Sequence, residues 1–444
     1  MANNIRTTCC VVGGGPAGIM LGYLLARNGV SVTVLEKHAD FFRDFRGDTV
    51  HPSTLELMHQ LGLLEELLQL PHQKLTSVNG IVGDYAFTAA DFRLVPTRCK
   101  FVALMPQWDF LDFLSRKVRA FTNFDLRMGH EAVDVLYDGT RINGVEVRSP
   151  EGALQVHADL VIACDGRHST MRTVSRLELI EFGVPIDVLW FRVSRHDGDP
   201  DQLFGNLNYG RALVLINRGS YFQAGLLIRK GSFEEFKNAG IETFRRTVQQ
   251  IAPYLGNRVD ELNDWEQIKL LSIRLNRLRQ WHRPGLLCIG DAAHAMSPAG
   301  GVGINLAIQD AVATANLLSE ALRTRCVTQD LLAQVQSRRE FPTRVTQFLQ
   351  ANAHKLFERL FRTHGPLKAP WQLKVVVHIP LVQNLLGMVV GIGIRPEHTR
   401  ETRPQPVRLS KRLVGIAVGV GVAAAILMRS RRKTQRARTS IKAA

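Results

Sequence analysis

Apolar runs with the length of buried strands recur along this chain, and three of them pass without a break into glycine or aspartate. The first, Cys10-Val11-Val12, continues as Gly13-Gly14-Gly15-Pro16-Ala17-Gly18-Ile19-Met20, the pattern of a strand that turns through glycines into a helix. That helix is predicted to reach Asn28, and after Gly29 a second strand over 30–35 ends at Glu36. The second run, 158–163, delivers Cys164-Asp165-Gly166-Arg167-His168-Ser169-Thr170-Met171-Arg172. The third, 286–289, delivers Gly290-Asp291-Ala292-Ala293-His294, then Pro298 and the turn Gly300-Gly301-Val302-Gly303-Ile304-Asn305, ahead of a long helix over 306–322.

Between these runs the period changes. Ser53 and Glu56 are spaced as a capping box on an apolar-periodic helix, which places Arg46 on the loop before it. Residues 74–98 alternate loosely around turn signals at Asn79-Gly80 and Gly83-Asp84, as short antiparallel strands do. A further helix opens at Met105, with Pro106 in its first turn and Gln107 near its cap. Runs at 132–136 and 144–147, joined through Asp138-Gly139, read as a hairpin. From 182 to 268 the pattern is strand-rich, with runs at 188–193, 212–216 and 221–228, then helical over 233–255. Its aromatics Trp190, Phe191, Tyr221 and Phe222 read as core first and as pocket lining second.

The expected fold is α/β. A Rossmann-like domain takes residues 1–73, 99–180 and 269–350, and an inserted, mostly antiparallel substrate-binding sheet takes 74–98 and 181–268. A C-terminal helical segment, 351–398, precedes a basic tail, 399–444. Within 375–394, Leu381, Leu385, Val389 and Ile392 recur at helical spacing and predict an amphipathic helix packed on the body.

Charge changes the picture only at the tail. The net charge is +16 over 444 residues, but thirteen basic residues against two acidic ones put +11 of it after residue 394. A basic face for nucleic acid is therefore not expected on the body. The tail also holds 413–428, sixteen residues without a charge between Lys411-Arg412 and Arg429-Arg431-Arg432-Lys433. Such a helix rises about 24 Å, short of the roughly 30 Å hydrocarbon core, and flanking basic side chains can make up the difference. The pattern favours a membrane anchor over an interfacial helix or a disordered tail. The polar start, 1–8, carries no secretory signal, so a cytoplasmic catalytic body is expected. Six scattered cysteines form neither a disulfide framework nor a metal-binding pattern, and Cys9, Cys10, Cys164 and Cys288 read as buried thiols.

The chemistry is expected at the glycines. Gly13, Gly15 and Gly18 stand at G-x-G-x-x-G spacing: the first permits a tight turn, the second admits a pyrophosphate, and the third lets helix pack on strand. The helix N-terminus binds the anion through unpaired N–H groups, and Glu36 lies where a ribose diol needs an acceptor.

Together the three motifs resemble the flavoprotein monooxygenases typified by para-hydroxybenzoate hydroxylase, over roughly residues 8–350. The resemblance implies FAD, held by Gly13, Gly15, Pro16, Ala17 and Gly18, with Glu36 and the adjoining Lys37 at the adenosine ribose. It implies that Arg46 and Gln107 contact the ribose and pyrophosphate region, and that Asp165 serves both the flavin and a passing NADH or NADPH. Gly290 and Asp291 would hold the ribityl chain. Pro298 and the turn from Gly300 through Gly301, Val302, Gly303 and Ile304 to Asn305 would lie against the isoalloxazine. The implied reaction is reduction of the flavin by NAD(P)H, addition of O2 to give a C4a-hydroperoxide, and hydroxylation or epoxidation of an aromatic or lipophilic small molecule. No side chain is assigned as catalytic, because the flavin carries that chemistry. The alternative on the same fold is an FAD-dependent reductase or dehydrogenase of an isoprenoid or quinone-like substrate.

Overall fold

The computed structural model describes residues 3–42, 49–199, 203–363 and 365–400. Arg46 and the apolar segment 413–428 lie outside the described residues. All contacts below lie within one unit, Met1–Thr399.

The strands Asn3–Val12, Val32–Glu36, Phe124–Met128, Gly152–Ala163 and Leu286–Cys288 pair in parallel; Val32–Glu36, Leu286–Cys288 and the last four residues of Asn3–Val12 and Gly152–Ala163 are buried and almost wholly apolar, whereas the edge strand Phe124–Met128 is half-buried. The spatial order runs from Leu286–Cys288 through Gly152–Ala163, Asn3–Val12 and Val32–Glu36 to Phe124–Met128. The hairpin Glu131–Asp138 and Arg141–Ser149 adds on in antiparallel fashion, turning at Gly139. Register aligns Val12 with both Ala163 and Leu35, and Ala163 with Cys288. The residues that follow Asn3–Val12, Val32–Glu36, Gly152–Ala163 and Leu286–Cys288 therefore emerge side by side at one carboxyl edge, although Gly13 and Ile289 lie 276 positions apart in sequence. Helix Pro16–Arg27 lies flat on this sheet: a Cβ at Gly22 would meet Phe124 and Val34, each at 2.9 Å.

A second, seven-stranded sheet runs in the order Lys269–Ser272, Ile186–Ser194, Tyr221–Arg229, Arg211–Asn217, Leu203–Asn208, Ser77–Val82, Tyr85–Asp91. One face buries Leu189, Phe191, Val193, Leu213, Phe222 and Leu226 against Phe244 and Val248 of helix Ile241–Ile251. The other face, with Val188, Trp190, Ala212 and Leu227, shares a cluster with Met296 and Leu306 from the third motif. Alternation along each strand thus gives the sheet one face for its own helix and one for the glycine turn.

Three local expectations are corrected. No capping box forms at Ser53: helix Pro52–Gln60 starts one residue earlier, with His51 as its N-cap and Ser53 buried inside the first turn. The helix expected over 233–255 is broken at Gly240, whose φ of 84° leaves Phe233–Asn238 and Ile241–Ile251 as separate pieces. The C-terminal helix Pro380–Gly391 packs through Gly387 and Gly391 rather than Leu381, which is exposed. A Cβ at Gly387 would sit 1.9 Å from the carbonyl oxygen of Asp91, so the two glycines let this helix approach the strand backbone more closely than a leucine stripe allows. Among the described residues, no helix is long and apolar enough to cross a membrane.

Candidate functional site

The carboxyl edge is built from backbone first. The amide of Gly13 donates to Leu35 O (2.7 Å), that of Cys164 to Val12 O (2.7 Å), and that of Ile289 to Ala163 O (3.0 Å). These bonds stitch the exits of four strands together. At this crowding two of the glycines are obligatory. A Cβ on Gly13 would lie 2.5 Å from Cys164 O, and one on Gly18 would lie 1.8 Å from Gly13 O. Gly15 differs, because a Cβ there meets nothing within 4 Å. Gly15 also caps helix Pro16–Arg27 with no side-chain hydrogen bond, Pro16 follows it, and no acid occupies the first turn. The space beside Gly15 and the free amides of that turn fit a phosphate.

Glu36 closes one side of this cradle. Buried at 8% exposure, it accepts from the Gly14 amide through Oε2 (2.9 Å) and from the His38 amide through Oε1 (3.0 Å). Lys37, next in the chain, is exposed. Gln107 is the first residue of helix Gln107–Val118 and is half-buried, with Pro106 as its N-cap.

The second motif is locked by its own hydroxyl. Ser169 donates to Asp165 Oδ1 (2.5 Å), the Met171 amide donates to Asp165 Oδ2 (3.1 Å), and Ser169 Oγ accepts from the Arg172 amide (3.0 Å) as N-cap of helix Thr170–Val174. Burial raises the Asp165 pKa, while the Ser169 hydroxyl and the Met171 amide hold it back. Arg172 is buried and donates to Ala292 O (3.1 Å) and Arg167 O (2.9 Å), which ties the second motif to the third. Arg167 extends across the same gap and reaches Asp291 Oδ2 at 3.5 Å.

The third motif folds differently from expectation beyond Gly301. Gly300 and Gly301 take left-handed φ values of 81° and 64°, and helix Val302–Arg323 begins at once, four residues earlier than predicted. Val302, Gly303, Ile304 and Asn305 therefore form its first turn, with no side-chain cap and no acid. Asn305 is buried, and its Oδ1 accepts from Ser53 (2.7 Å) and Thr54 (2.9 Å), so its side chain fastens this turn to helix Pro52–Gln60.

Several residues that hold the site carry no motif. Gln350 accepts from the Ser297 amide (3.1 Å) and donates to Ser297 O (2.9 Å) and Ala299 O (3.0 Å), bracketing Pro298. His354 meets Ser297 Oγ at 2.9 Å. Thr49 donates to Gly301 O (3.2 Å). His51, 1% exposed, donates through Nδ1 to Val390 O (2.8 Å), which leaves Nε2 without a partner. A Cβ at Gly301 would lie 3.3 Å from that Nε2. Single polar residues on apolar-periodic helices give no signal in one sequence; Arg167, Ser169 and Arg172 stand inside the second motif, which could have drawn attention to them.

The donor set suits FAD: open space at Gly15, a buried carboxylate at a strand end, and a second uncapped helix N-terminus at Val302. Comparison with known proteins agrees. The family described as FAD binding domain matches residues 6–349. The 6-methylpretetramide 4-monooxygenase of Streptomyces rimosus is 31% identical over 426 residues, covering 91% of this chain and 98% of that protein. Among solved structures, the OxyS anhydrotetracycline hydroxylase from Streptomyces rimosus has a TM-score of 0.67 at 21% identity, over 87% of this chain and 76% of that one. The p-nitrophenol 4-monooxygenase PnpA from Pseudomonas putida DLL-E4 has a TM-score of 0.68 at 19% identity, over 87% and 97%. These two likenesses establish the fold. The chain belongs to the FAD-binding-domain family, in the flavoprotein monooxygenases of the para-hydroxybenzoate hydroxylase type, and is an FAD-dependent oxidoreductase.

Proposed function

We propose that the protein uses FAD, NADH or NADPH, and O2 to hydroxylate an aromatic small molecule. Multi-ring phenolics of the tetracycline kind are the first substrates to try, given the names of its relatives. The observation that carries the reading is a juxtaposition. The uncapped N-terminus at Val302 belongs to the same element as Leu306, and Leu306 shares its cluster with Trp190 and Val188 on one face of the second sheet. A flavin at that helix end would lie beside this apolar surface, which supports its use as the substrate face.

In this reading the amides that follow Gly15 hold the pyrophosphate, and Glu36 accepts from the adenosine ribose. Gln107 approaches the pyrophosphate region, Asp291 accepts from the ribityl hydroxyls, and Asp165 maintains the turn against which the nicotinamide passes. The uncapped first turn Val302–Asn305 would lie against the flavin ring and favour negative charge on it. When bound, the flavin supplies hydride acceptance and oxygen activation. The protein's part is to bind, orient and exclude water, with the face of the second sheet around Trp190 serving as the substrate domain.

The deciding experiment follows NADH and NADPH consumption by the FAD-loaded protein across phenols and multi-ring aromatics under 18O2. Substrate-stimulated turnover with label in the product supports the hydroxylase. A product that gains or loses hydrogen without label assigns the reductase reading instead.

Membrane attachment through 413–428 rests on the sequence pattern alone. Flotation of the full chain with anionic vesicles tests it: protein left at the bottom of the gradient removes the anchor.

A further inference from the structure

Asp310 lies two turns into helix Val302–Arg323 and is fully buried. Its Oδ2 accepts from the Gly290 amide (3.0 Å) and faces His294 Nε2 at 2.6 Å, and its Oδ1 accepts from Arg339 Nε at 2.8 Å. Arg339 comes from helix Gln329–Leu360 and is 1% exposed. Its other end donates to Arg395 O (3.2 Å) and reaches Glu397 Oε1 (3.5 Å). The Glu397 side chain has no exposure and also takes a two-pronged contact from Arg338, at 2.8 Å from Nε and 2.7 Å from Nη2.

Besides Arg338 and Arg339 of helix Gln329–Leu360, two further helices, Val302–Arg323 and Pro52–Gln60, pin the strap that carries Glu397. The Glu397 amide donates to Gln309 Oε1, Asn316 Nδ2 donates to His398 O (2.8 Å), and the Thr399 amide donates to Gln60 Oε1 (3.1 Å). Two carboxylates and two guanidiniums therefore alternate from the C-terminal strap to the amide of Gly290, the residue before Asp291. Gly290 has a φ of 59°, which glycine adopts without strain, and its amide is fixed by the Asp310 carboxylate. Buried ion pairs add little stability over apolar packing but cost heavily when one partner is removed, so their use is to fix one arrangement. The network is also incomplete, since His294 Nδ1 is buried without a partner. An arrangement selected for stability alone would not leave that nitrogen bare.

We infer that Glu397 is a positioning residue of the flavin site, acting through Arg339 and Asp310 on the Gly290-Asp291 turn, so that docking of the C-terminal strap latches FAD in place. The inference rests on the reading that Asp291 holds the cofactor. Glu397 touches neither cofactor nor substrate, and loss of its charge leaves Arg339 drawn to Asp310 alone and Arg338 without its carboxylate. The grip on Gly290 then loosens more than 100 positions away in sequence.

The test uses the full chain. FAD affinity is read by flavin fluorescence titration, and melting temperature is read with and without FAD, for Glu397→Gln, Glu397→Asp, Arg338→Met, Asp291→Ala and the control Arg258→Met. Arg258, in the short helical segment Pro253–Glu261, pairs with Asp199 on the loop after strand Ile186–Ser194, so its loss reports general destabilisation. The expected result is FAD binding weakened about tenfold in Glu397→Gln, with a smaller FAD-induced rise in melting temperature and partial recovery in Glu397→Asp. Arg258→Met is expected to lower the melt and leave FAD affinity within about twofold. Equal lowering of the melt with and without FAD in Glu397→Gln, at unchanged affinity, overturns the latch. Should that variant not fold, Arg338→Met decides: its side chain is 40% exposed, and unchanged FAD affinity there overturns the latch equally. Normal FAD binding by Asp291→Ala removes the site reading itself, and with it the route from Glu397.

Discussion

Arg167 and Asp291 stand 3.5 Å apart, the one on the loop after the second motif's strand and the other on the turn after the third's. Their sequence separation is large, yet the pair spans the carboxyl edge where the cofactor is proposed to lie. Both side chains are about 30% exposed, at 27% and 31%, so the attraction is screened. Arg167→Met is expected to weaken FAD binding by no more than about fivefold, or roughly 1 kcal/mol. Titration at low and high salt checks the cause. The gap between wild type and variant should close as salt rises, and a gap that persists means Arg167 acts by packing.

Two neighbouring glycines should fail differently. Gly18→Ala places a Cβ 1.8 Å from Gly13 O, backbone that cannot yield without unpicking the strand exits. It is expected to cost about 3 kcal/mol or more and to show as a lowered melt of the FAD-free protein. Gly15 has φ −71° and ψ −173°, which alanine adopts freely, and nothing lies within 4 Å of the added methyl. Gly15→Ala should keep the FAD-free melt and lose FAD binding by about tenfold or more. A variant that binds FAD normally would mean that the open space at Gly15 is not where the pyrophosphate sits.

Much of this edge is legible in the sequence because backbone constraints leave residue-level traces. A strand entering a helix across one tight turn must use glycine at Gly13 and Gly18, and four buried strands must read as apolar runs. Side-chain brackets leave no such trace. Asp310 is one of two acids in a mostly apolar helix, Arg339 one of many arginines, and Gln350 a polar residue on a long helix; only their convergence gives them meaning. The start of the Val302 helix was missed because Gly300 and Gly301 look like an extended glycine turn, whereas two left-handed residues complete it. The Gly387 contact was missed because helical periodicity weighs large apolar residues, and the closest backbone approach is made by the smallest.

His51 gives the fold an acid limit. Burial lowers its pKa from 6.5 to about 4, although the carbonyls of Val390 and Gly301 pull upward. The folded state therefore keeps His51 neutral while the unfolded chain takes up a proton below about pH 6.5, so stability is full above that pH and falls as pH drops toward 4. The ceiling on this one group is about 3 kcal/mol. His282 and His354 are also lowered by burial and share the sign. His51→Asn offers an N–H to Val390 O without a titrating ring. Its melting temperature should fall less steeply between pH 7 and pH 4 than that of the wild type. Parallel slopes would show that His51 is protonated in the fold or that Val390 O does not restrain it.

Trp190 is the residue from which we expect substrate contact. It packs across the strand on Gly225, where a Cβ would come within 2.9 Å of the ring, and it belongs to the sheet face that shares a cluster with Met296 and Leu306. It is 9% exposed, and its Nε1–H has no hydrogen-bond partner. An unpaired buried donor costs about 1–3 kcal/mol, so Trp190→Phe should leave the melt unchanged or raise it. If a substrate oxygen supplies the missing acceptor, the same change raises KM by about tenfold while FAD affinity stays fixed. Steady-state kinetics on the first substrate found, with the FAD titration beside it, separates the outcomes. An unchanged KM means that the indole is core alone and that the substrate lies elsewhere on the sheet, whereas lost FAD affinity means that this face braces the flavin itself.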